Sequence, residues 1–180
     1  MNFYSDNIIN DIIDHSPLEN MMDELNVFKT KIRSLLHRFS GTDIHYKYID
    51  SLLGDEKNKI VFYCIDLEFN IENCPVIMIY RKKKIHEIEI RYYVLMLCTK
   101  KNFRNQGYAS KLLSAFIEKM NKETPEIKKK IILSSVESAV LFYESYGFKW
   151  TRDTLFDHQI LMETEKKEDD KEYFIMELEI

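Results

Sequence analysis

Glycine and proline are both scarce in this sequence, and its few cysteines lack the paired spacing of a metal site. With four glycines and three prolines among 180 residues, the chain has no low-complexity linker, and we find no internal repeat and no clear domain boundary. The three cysteines, Cys64, Cys74 and Cys98, form no CxxC pair. That spacing argues against a zinc site or a disulfide framework, and scattered thiols suit a reducing compartment such as the cytoplasm.

The sequence also lacks a long hydrophobic run and an excess of basic residues. No apolar run approaches the roughly 20 residues that cross a bilayer, and the acidic N-terminus has neither the basic nor the apolar block of a signal peptide. These absences predict a soluble, intracellular protein. The formal net charge of −4 and the pI of about 5.8 argue against a dedicated nucleic-acid binder, whereas an acidic cleft would concentrate cationic amines.

What the sequence does contain is enough apolar material for one domain, with 45% apolar and 13% aromatic residues. Hydrophobic spacing predicts helices at 16–39, 107–121 and 137–146, and strands at 60–65, 76–80, 85–99, 131–135, 148–156 and 173–180. Residues 42–49 fit either a short strand or a second helix. We expect Lys82–Lys84 in a turn and Glu163–Glu172 in a mobile, dispensable loop. This order predicts one α/β domain whose mixed sheet is covered by helices on both faces.

The first segment with chemical content is the loop from Arg104 to Ser110, where a long strand gives way to a helix. A helix start exposes unpaired backbone N–H groups and the positive end of the helix dipole, so it can bind phosphate. Gly107 lets the backbone approach an anion with no Cβ in the way, and Arg104 adds a fixed positive charge. Three lysines add positive charge nearby: Lys100, Lys101 and Lys111. Taken alone, the pattern fits an ordinary tight loop equally well.

A second segment, further along the chain, makes the first one more specific. It reads Ala139-x-x-Phe142-Tyr143-x-x-x-Gly147-Phe148. Together, the two segments resemble the GNAT superfamily, the Gcn5-related N-acetyltransferases. The resemblance covers residues 59–180, with its core between 88 and 148, and residues 1–58 fit the family's N-terminal helices and first strand. It implies a single N-acetyltransferase domain over residues 1–180, with a mixed, mostly antiparallel sheet.

The resemblance implies a role for each matched residue. The end of the fourth strand, here Leu97, Cys98 and Thr99, would pair through its backbone with the pantetheine arm of acetyl-CoA. The pyrophosphate would be held by the loop residues Arg104, Asn105, Gln106, Gly107, Tyr108, Ala109 and Ser110. Tyr143 matches the family tyrosine that protonates the departing thiolate, and a phenol with a pKa near 10 can act as this general acid. No metal is implied.

The sequence departs from the family pattern at two places. Val136 stands where the family usually has asparagine, so a side-chain contact to the cofactor is in question, although Ser135 or Ser138 could supply a hydroxyl. The loop after Thr99 also lacks the common proline. Neither change removes the expected phosphate site.

The base that deprotonates the amine is less clearly marked. Some relatives use a glutamate on the fourth strand, and Glu89 shares the strand parity of Tyr93 and Leu97. A surface glutamate is the competing interpretation, and water chains replace a single base in other members. The five histidines show no metal-ligand spacing, and Ser134-Ser135 lacks the G-x-S-x-G elbow of serine hydrolases.

These features predict an enzyme that transfers the acetyl group of acetyl-CoA to a primary amine by direct attack in a ternary complex. The alternative is a non-catalytic module of the same fold that binds CoA or a protein partner. The acceptor is a small-molecule or protein amine, and lysine, protein N-termini, polyamines and small amines all remain open. We expect no direct nucleic-acid or membrane binding, and either a monomer or a homodimer.

Overall fold

The computed structural model describes residues 3–4, 30–36, 46–63, 65, 73–164 and 172–180. The strands are β1 (Phe3–Tyr4), β2 (Asn58–Tyr63), β3 (Val76–His86), β4 (Glu89–Thr99), β5 (Lys128–Val136), β6 (Lys149–Trp150) and β7 (Tyr173–Glu179). The helices are α1 (30–36), α2 (Tyr46–Gly54), α3 (Tyr108–Lys122), α4 (Val140–Glu144) and α5 (Gln159–Thr164). Hydrogen bonding joins the strands in the order β1-β2-β3-β4-β5-β7-β6.

The sheet combines parallel and antiparallel pairs. Strand β4 runs parallel to β5, whereas β1 pairs antiparallel with β2, and β7 pairs antiparallel with both β5 and β6. The predicted fold class, an α/β chain with a mixed, mostly antiparallel sheet and accompanying helices, is thereby confirmed.

Contacts divide the chain into two compact units. The first comprises residues 1–79 and 96–112, and the second comprises residues 80–95 and 113–180. The interpretation of residues 1–180 as one N-acetyltransferase domain stays a prediction.

The first unit has an apolar interior supplied by short amphipathic elements. Its buried side chains are Ile32, Leu35, Leu36, Ile49, Leu52, Leu53, Ile60, Val61, Phe62, Cys74, Val76, Ile77, Met78, Ile79, Met96, Cys98 and Leu112. The three-to-four-residue spacing in α1 and α2 places their apolar positions on one face of each helix. Helix α1 agrees with the expected helix at 16–39, the remainder of which lies outside the described residues. Of the two readings for 42–49, the helix is correct from Tyr46 onward.

The second unit packs the middle and end of α3 against aromatic residues of the sheet. The ring of Phe116 lies 4.9 Å from that of Tyr80 and 6.2 Å from that of Tyr92, centroid to centroid, both in edge-on geometry. Leu113, Phe116 and Met120 are buried along one face of the helix. Edge-on aromatic pairs contribute beyond the apolar area that they bury, so this face sets the orientation of the helix on its strands.

The C-terminal end of α3 is held by a buried lysine. Lys129 on β5 is only 2% exposed. Its ammonium donates hydrogen bonds to the carbonyl oxygens of Met120, Asn121 and Glu123, at 3.1, 2.6 and 2.5 Å. The last carbonyls of a helix lack partners within the helix and carry partial negative charge. One cation therefore satisfies three acceptors and ties the helix end to the sheet.

The hairpin between β3 and β4 turns later than the sequence predicts. Lys82, Lys83 and Lys84 lie within β3 and are exposed, and the turn falls at Glu87-Ile88. The expectation of a turn at the three lysines is wrong. They lie in a part of the strand that is solvated on both sides. Consecutive charges therefore cost little there.

The segment before β7 also differs from its prediction. Strand β6 is limited to Lys149–Trp150, and a 3-10 turn at Leu155–Asp157 and helix α5 follow. A reciprocal capping box explains the change: Asp157 Oδ2 accepts hydrogen bonds from both the backbone N–H and the hydroxyl of Thr154, at 2.8 and 2.9 Å. The loop expected at Glu163–Glu172 overlaps the end of α5, and its residues 165–171 lie outside the described residues.

The cysteines do not behave uniformly. Cys98 is a buried free thiol, whereas Cys74 is disulfide-bonded. The sequence-based expectation of unpaired thiols is therefore wrong at Cys74, and the argument from free thiols to a cytoplasmic location loses its basis. No helix among the described residues is long and apolar enough to cross a membrane.

Candidate functional site

The loop between β4 and α3 adopts two left-handed backbone positions before the helix begins. Asn105 has φ of 61° and Gly107 has φ of 77°. The N–H of Lys111 donates to the carbonyl oxygen of Gly107 at 3.0 Å, which is the first hydrogen bond of the helix. The N–H groups of the three intervening residues, 108–110, therefore have no acceptor within the helix. A helix start with free N–H groups can bind a phosphate, and the assignment of residues 104–110 to the pyrophosphate stays a prediction.

Gly107 is required by its backbone angle rather than by crowding. A Cβ built at this position would meet no heavy atom within 4 Å. A side chain would nevertheless face the penalty of left-handed geometry.

Hydrogen bonds inside the loop use several of its polar side chains. The amide of Gln106 donates to the carbonyl oxygen of Asn102 at 2.9 Å. The Nε of Arg104 points to the carbonyl oxygen of Thr99 at 3.4 Å. The side chain of Gln106 therefore braces the loop, and the backbone N–H groups are the donors left for a ligand.

Aromatic rings flank the start of α3. The ring of Tyr108 lies 5.7 Å from those of both Tyr63 and Phe103. The ammonium of Lys111 lies 5.2 Å from the centroid of Tyr108 and 5.9 Å from that of Tyr63. Ring packing and cation–π contact fix the first turn of the helix and keep a positive charge beside it.

The strand end that leads into this loop is half-buried or buried and carries an inert thiol. Leu97 and Thr99 are half-buried and Cys98 is buried. Burial raises the pKa of Cys98 from 9.0 to about 11, against an opposing influence of Arg104. The thiol therefore stays protonated near neutral pH and is a poor nucleophile.

Strands β4 and β5 stop pairing before either strand ends. Their parallel ladder runs from Glu89 opposite Lys128 to Val94 opposite Leu133. Strand β4 nevertheless continues to Thr99, and β5 continues to Val136 while paired with β7. The segment of β4 beyond this ladder includes Leu97, Cys98 and Thr99, which the resemblance implies pair with pantetheine.

Tyr143 lies on α4, a short helix that follows β5 through a 3-10 turn at Glu137–Ala139. Its ring packs edge-on against Phe142 at 5.1 Å and against Phe148 at 5.6 Å. Burial raises the pKa of Tyr143 from 10.0 to about 12. The phenol is therefore protonated at every physiological pH and can donate a hydrogen bond or a proton.

Glu89 stands at the first position of β4, where it is bound by a cation. Its carboxylate accepts a hydrogen bond from Nε of Arg91 at 2.5 Å. This bond is the main cause that lowers the pKa of Glu89 below its usual value, with Lys130 and Lys128 contributing. A carboxylate held in its ionised form is a weak base. The assignment of Glu89 as the base stays a prediction, and this ion pair weighs against it.

A buried histidine stands out among the residues that the sequence analysis passed over. His158 is 4% exposed, its Nε2 lies 3.0 Å from Oδ2 of Asp153, and its ring packs edge-on against Tyr93 at 6.0 Å. Nδ1 of His158 and Oγ of Ser134 are buried without a hydrogen-bond partner. No group of three or more potential metal ligands occurs among the described residues.

The predicted site residues fall into both units. Residues 97–99 and 104–110 lie in the first, and Glu89 and Tyr143 lie in the second. The sequence offers no signal for His158, because its partners Tyr93 and Asp153 come from different elements and match no spacing rule.

A scan against protein families matches residues 76–168 to the acetyltransferase (GNAT) domain. This match spans more than half of the chain and includes both segments that carry the resemblance. The chain belongs to the GNAT acetyltransferase family. A search of curated proteins found no significant match for this acetyltransferase.

Solved structures of acetyltransferases share the fold of this family member. Tetrahymena GCN5 is 19% identical with a TM-score of 0.57, covering 84% of this chain and 88% of its own. Arabidopsis thaliana Naa50, in complex with the bisubstrate analogue CoA-Ac-MVNAL, is 18% identical with a TM-score of 0.55, covering 91% and 94%. The NatC complex bound to Gag peptide and CoA contains a chain that is 18% identical with a TM-score of 0.57, covering 84% and 90%.

Proposed function

We propose that this member of the GNAT family transfers the acetyl group of acetyl-CoA to a primary amine by direct attack in a ternary complex. The observation that carries the proposal is the helix start at Gly107, with its left-handed backbone and its first-turn N–H groups. A helix start of this kind can bind a phosphate group, and CoA carries a diphosphate.

Acetyl-CoA fits the residues that surround this helix start. The pyrophosphate would bind the N–H groups of residues 108–110, with Arg104 and Lys111 supplying positive charge. The backbone of Leu97, Cys98 and Thr99 would bind the pantetheine arm, because β4 continues past the end of its ladder with β5. Arg104, Asn105 and Gln106 shape the loop.

Direct attack is favoured over an acyl-enzyme. The free thiol described at the strand end, Cys98, is buried with its pKa raised to about 11, so it forms little thiolate to accept an acetyl group. In the direct route, the amine nitrogen bonds to the thioester carbonyl carbon and loses a proton to a base or to solvent, and the carbon–sulfur bond breaks. The departing thiolate takes the hydroxyl proton of Tyr143, which later regains a proton from solvent.

A peptide amine is the first acceptor to test. Naa50 and the NatC complex are described with a peptide-derived analogue and with a peptide, respectively. A net charge of −4 suits a cationic acceptor, and it agrees equally with lysine peptides and polyamines.

The test measures thiol release from acetyl-CoA with four amine classes: peptides with free N-termini, lysine peptides, polyamines and small amines. We expect turnover with at least one class, and acetyl-CoA binding by calorimetry in the micromolar range, about −8 kcal/mol. Binding without turnover on any amine would favour the alternative function, a non-catalytic CoA-binding module. Absence of both binding and turnover would contradict the proposal.

A further inference from the structure

The disulfide of Cys74 has one possible partner within the chain. The sequence has three cysteines, Cys64, Cys74 and Cys98. Cys98 is a free thiol, whereas Cys74 is disulfide-bonded. The remaining cysteine is Cys64, which lies outside the described residues. Elimination therefore leaves Cys64 as the partner of Cys74.

The two cysteine positions flank the connection between strands β2 and β3. Strand β2 ends at Tyr63, directly before Cys64, and β3 begins at Val76, two residues after Cys74. The two strands are neighbours in the sheet. A bond between the cysteines would therefore close a ring over this connection and remove conformational freedom from it.

The residue before Cys64 packs on the start of helix α3. The ring of Tyr63 lies 5.7 Å from that of Tyr108, the first residue of the helix. The ammonium of Lys111 lies 5.9 Å from the centroid of Tyr63. Tyr63 therefore helps to hold the first helical turn, where the N–H groups without an acceptor lie.

The residue after Cys74 is bound to the chain that enters the same loop. The backbone N–H of Lys100, directly after β4, donates to the carbonyl oxygen of Pro75 at 2.9 Å. Cys74 itself is fully buried, so close packing sets its position. Every one of these contacts lies within the first compact unit. The two ends of the β2–β3 connection therefore support the loop before α3 from its two sides along the chain.

We infer that Cys74 pairs with Cys64 and that this disulfide holds the loop before α3 in the shape that binds acetyl-CoA. The inference rests on the proposed function, under which this loop binds the pyrophosphate. One sulfur lies next to Tyr63 in the chain and the other next to Pro75, so the bond limits how far their contacts with the loop can separate. A site kept in its binding geometry loses less affinity to reorganisation. Both cysteines are thus positioning residues.

Formation of the bond requires an oxidant, and a small disulfide such as oxidised glutathione supplies it. The thiolate of one cysteine attacks a sulfur of the glutathione disulfide and releases one glutathione thiol. The thiolate of the other cysteine then attacks the protein sulfur of this mixed disulfide and releases the second glutathione thiol. Two protein thiols are oxidised, one glutathione disulfide is reduced, and the two protons end on glutathione. Because Cys74 is buried in the folded unit, we expect the bond to form during folding.

Disulfide mapping tests the pairing. The full chain is refolded from the reduced, unfolded state in oxidised and reduced glutathione, and free thiols are then labelled with iodoacetamide under denaturing conditions. A protease that cleaves after glutamate, at Glu68 and Glu72, places Cys64 and Cys74 on separate peptides. Without reductant, we expect these two peptides to stay joined and Cys98 to carry the label. Label on all three cysteines, or a bond to Cys98, would overturn the inference.

Calorimetry with acetyl-CoA tests the role of the bond in binding. We expect Cys64→Ala and Cys74→Ala each to raise Kd by about fivefold or more, the low end of coupling between separate sites. The double variant should bind no more weakly than either single variant, because all three lose the same bond. The reductant provides a matched control. Dithiothreitol during refolding should raise the Kd of the parent to that of the variants and leave the Kd of Cys64→Ala unchanged.

Parent-like affinity in folded Cys64→Ala would overturn the role of the bond. Losses that add in the double variant would do the same, because the two side chains would then act separately. If Cys74→Ala fails to fold, Cys64→Ala decides, since it removes the same bond and leaves the buried cysteine in place. Failure of the proposed function appears differently: a parent protein with the mapped bond would bind no acetyl-CoA, which would reject the role of the bond in binding and leave the pairing established.

Discussion

The loop from Arg104 to Ser110 and the residues around His158, namely Tyr93 and Asp153, differ in exposure and in the groups that they present. The loop is exposed, and its hydrogen-bond donors are backbone N–H groups that follow the left-handed backbone of Gly107. His158 and Tyr93 are buried, and the groups that they present are side chains drawn from the segment before α5 and from β4. A loop of this kind provides affinity for an anion, whereas a side chain that donates a proton, as proposed for Tyr143, can change a rate without changing affinity.

The difference leads to separable expectations for mutants. Changes in the loop should raise Kd or KM for acetyl-CoA and leave the chemical step alone. Loss of the Tyr143 hydroxyl should lower kcat and leave acetyl-CoA binding intact. Each measurement below tests whether this division holds.

Tyr143→Phe gives the largest expected effect, a fall in kcat of about 10²–10⁴-fold. The substitution keeps the ring contacts with Phe142 and Phe148, so folding and acetyl-CoA affinity should stay near those of the parent. Steady-state kinetics and calorimetry on the same preparation provide the check. An acyl donor with a more acidic leaving thiol should shrink the deficit. A parent-like kcat with acetyl-CoA, when chemistry limits turnover, would exclude Tyr143 as the acid.

Cys98 should react with iodoacetamide about 100-fold more slowly than an exposed thiol at the same pH. Its pKa is raised from 9.0 to about 11, each pH unit is a factor of ten in thiolate, and only the thiolate reacts. Mass spectrometry of native and urea-unfolded protein measures both rates. Fast labelling of Cys98 in the native protein would support a route through an acyl-cysteine. It would also contradict the expectation that the loop region contributes binding alone.

Gly107→Val should weaken acetyl-CoA binding by about tenfold or more, equivalent to about 1.4 kcal/mol. The new side chain would strain the left-handed backbone and occupy the approach to the helix start. Gly54→Val is the matched control, because a Cβ there also meets nothing within 4 Å but has no positive φ to oppose it. Equal affinity in the two folded variants would show that the loop does not bind the cofactor.

The pH dependence sharpens the role of Tyr143. The group must be protonated to act, and its protonated form is lost only as pH rises through about 12. At pH 10 only about 1% of the phenol is ionised, compared with half for an ordinary tyrosine. The kcat of the parent should therefore show no alkaline decline from Tyr143 between pH 8 and pH 10. A decline with a midpoint near 10 that vanishes in Tyr143→Phe would contradict the burial of this hydroxyl.

Glu89→Gln gives the smallest expected effect. The carboxylate is partly exposed and bound to Arg91, so its loss should cost at most about 1 kcal/mol in unfolding free energy. Because the ion pair with Arg91 leaves Glu89 a weak base, kcat should change by less than about threefold. A fall of about 10²-fold or more, the range of a general base, would instead support Glu89, the candidate that the sequence offered.

Local chemistry explains which parts of the molecule were predictable from the sequence. The loop and the helix after it were predicted from neighbouring residues, namely Gly107, Ala109 and an amphipathic repeat. The hypothesis about Tyr143 came from a contiguous motif. The hairpin tip was misplaced because Lys82–Lys84 look like turn residues but occupy a solvated strand. Helix α5 was missed because its short run of apolar residues resembles a strand end, and because the 3-10 turn before it, capped by Thr154 and Asp157, was not predicted.

The surroundings of His158 were harder to predict for a different reason. Tyr93 and His158 are brought into contact only by the return of the chain before β7. No rule of spacing connects them. A buried atom without a partner is a property of the folded state, and it becomes visible only when all neighbours are in place.

The three hydrogen bonds of the Lys129 ammonium affect whether this lysine could be acetylated by the protein itself. An acetyltransferase that acts on amines carries many lysine amines itself, and exposed ones compete with the true acceptor. The ammonium of Lys129 uses all three of its protons on carbonyl oxygens and lies beneath the end of a helix. It has no lone pair to offer and no path to a thioester. Self-acetylation would therefore spare this lysine for as long as the fold persists, and the anchor of α3 is chemically protected from the reaction that the family performs.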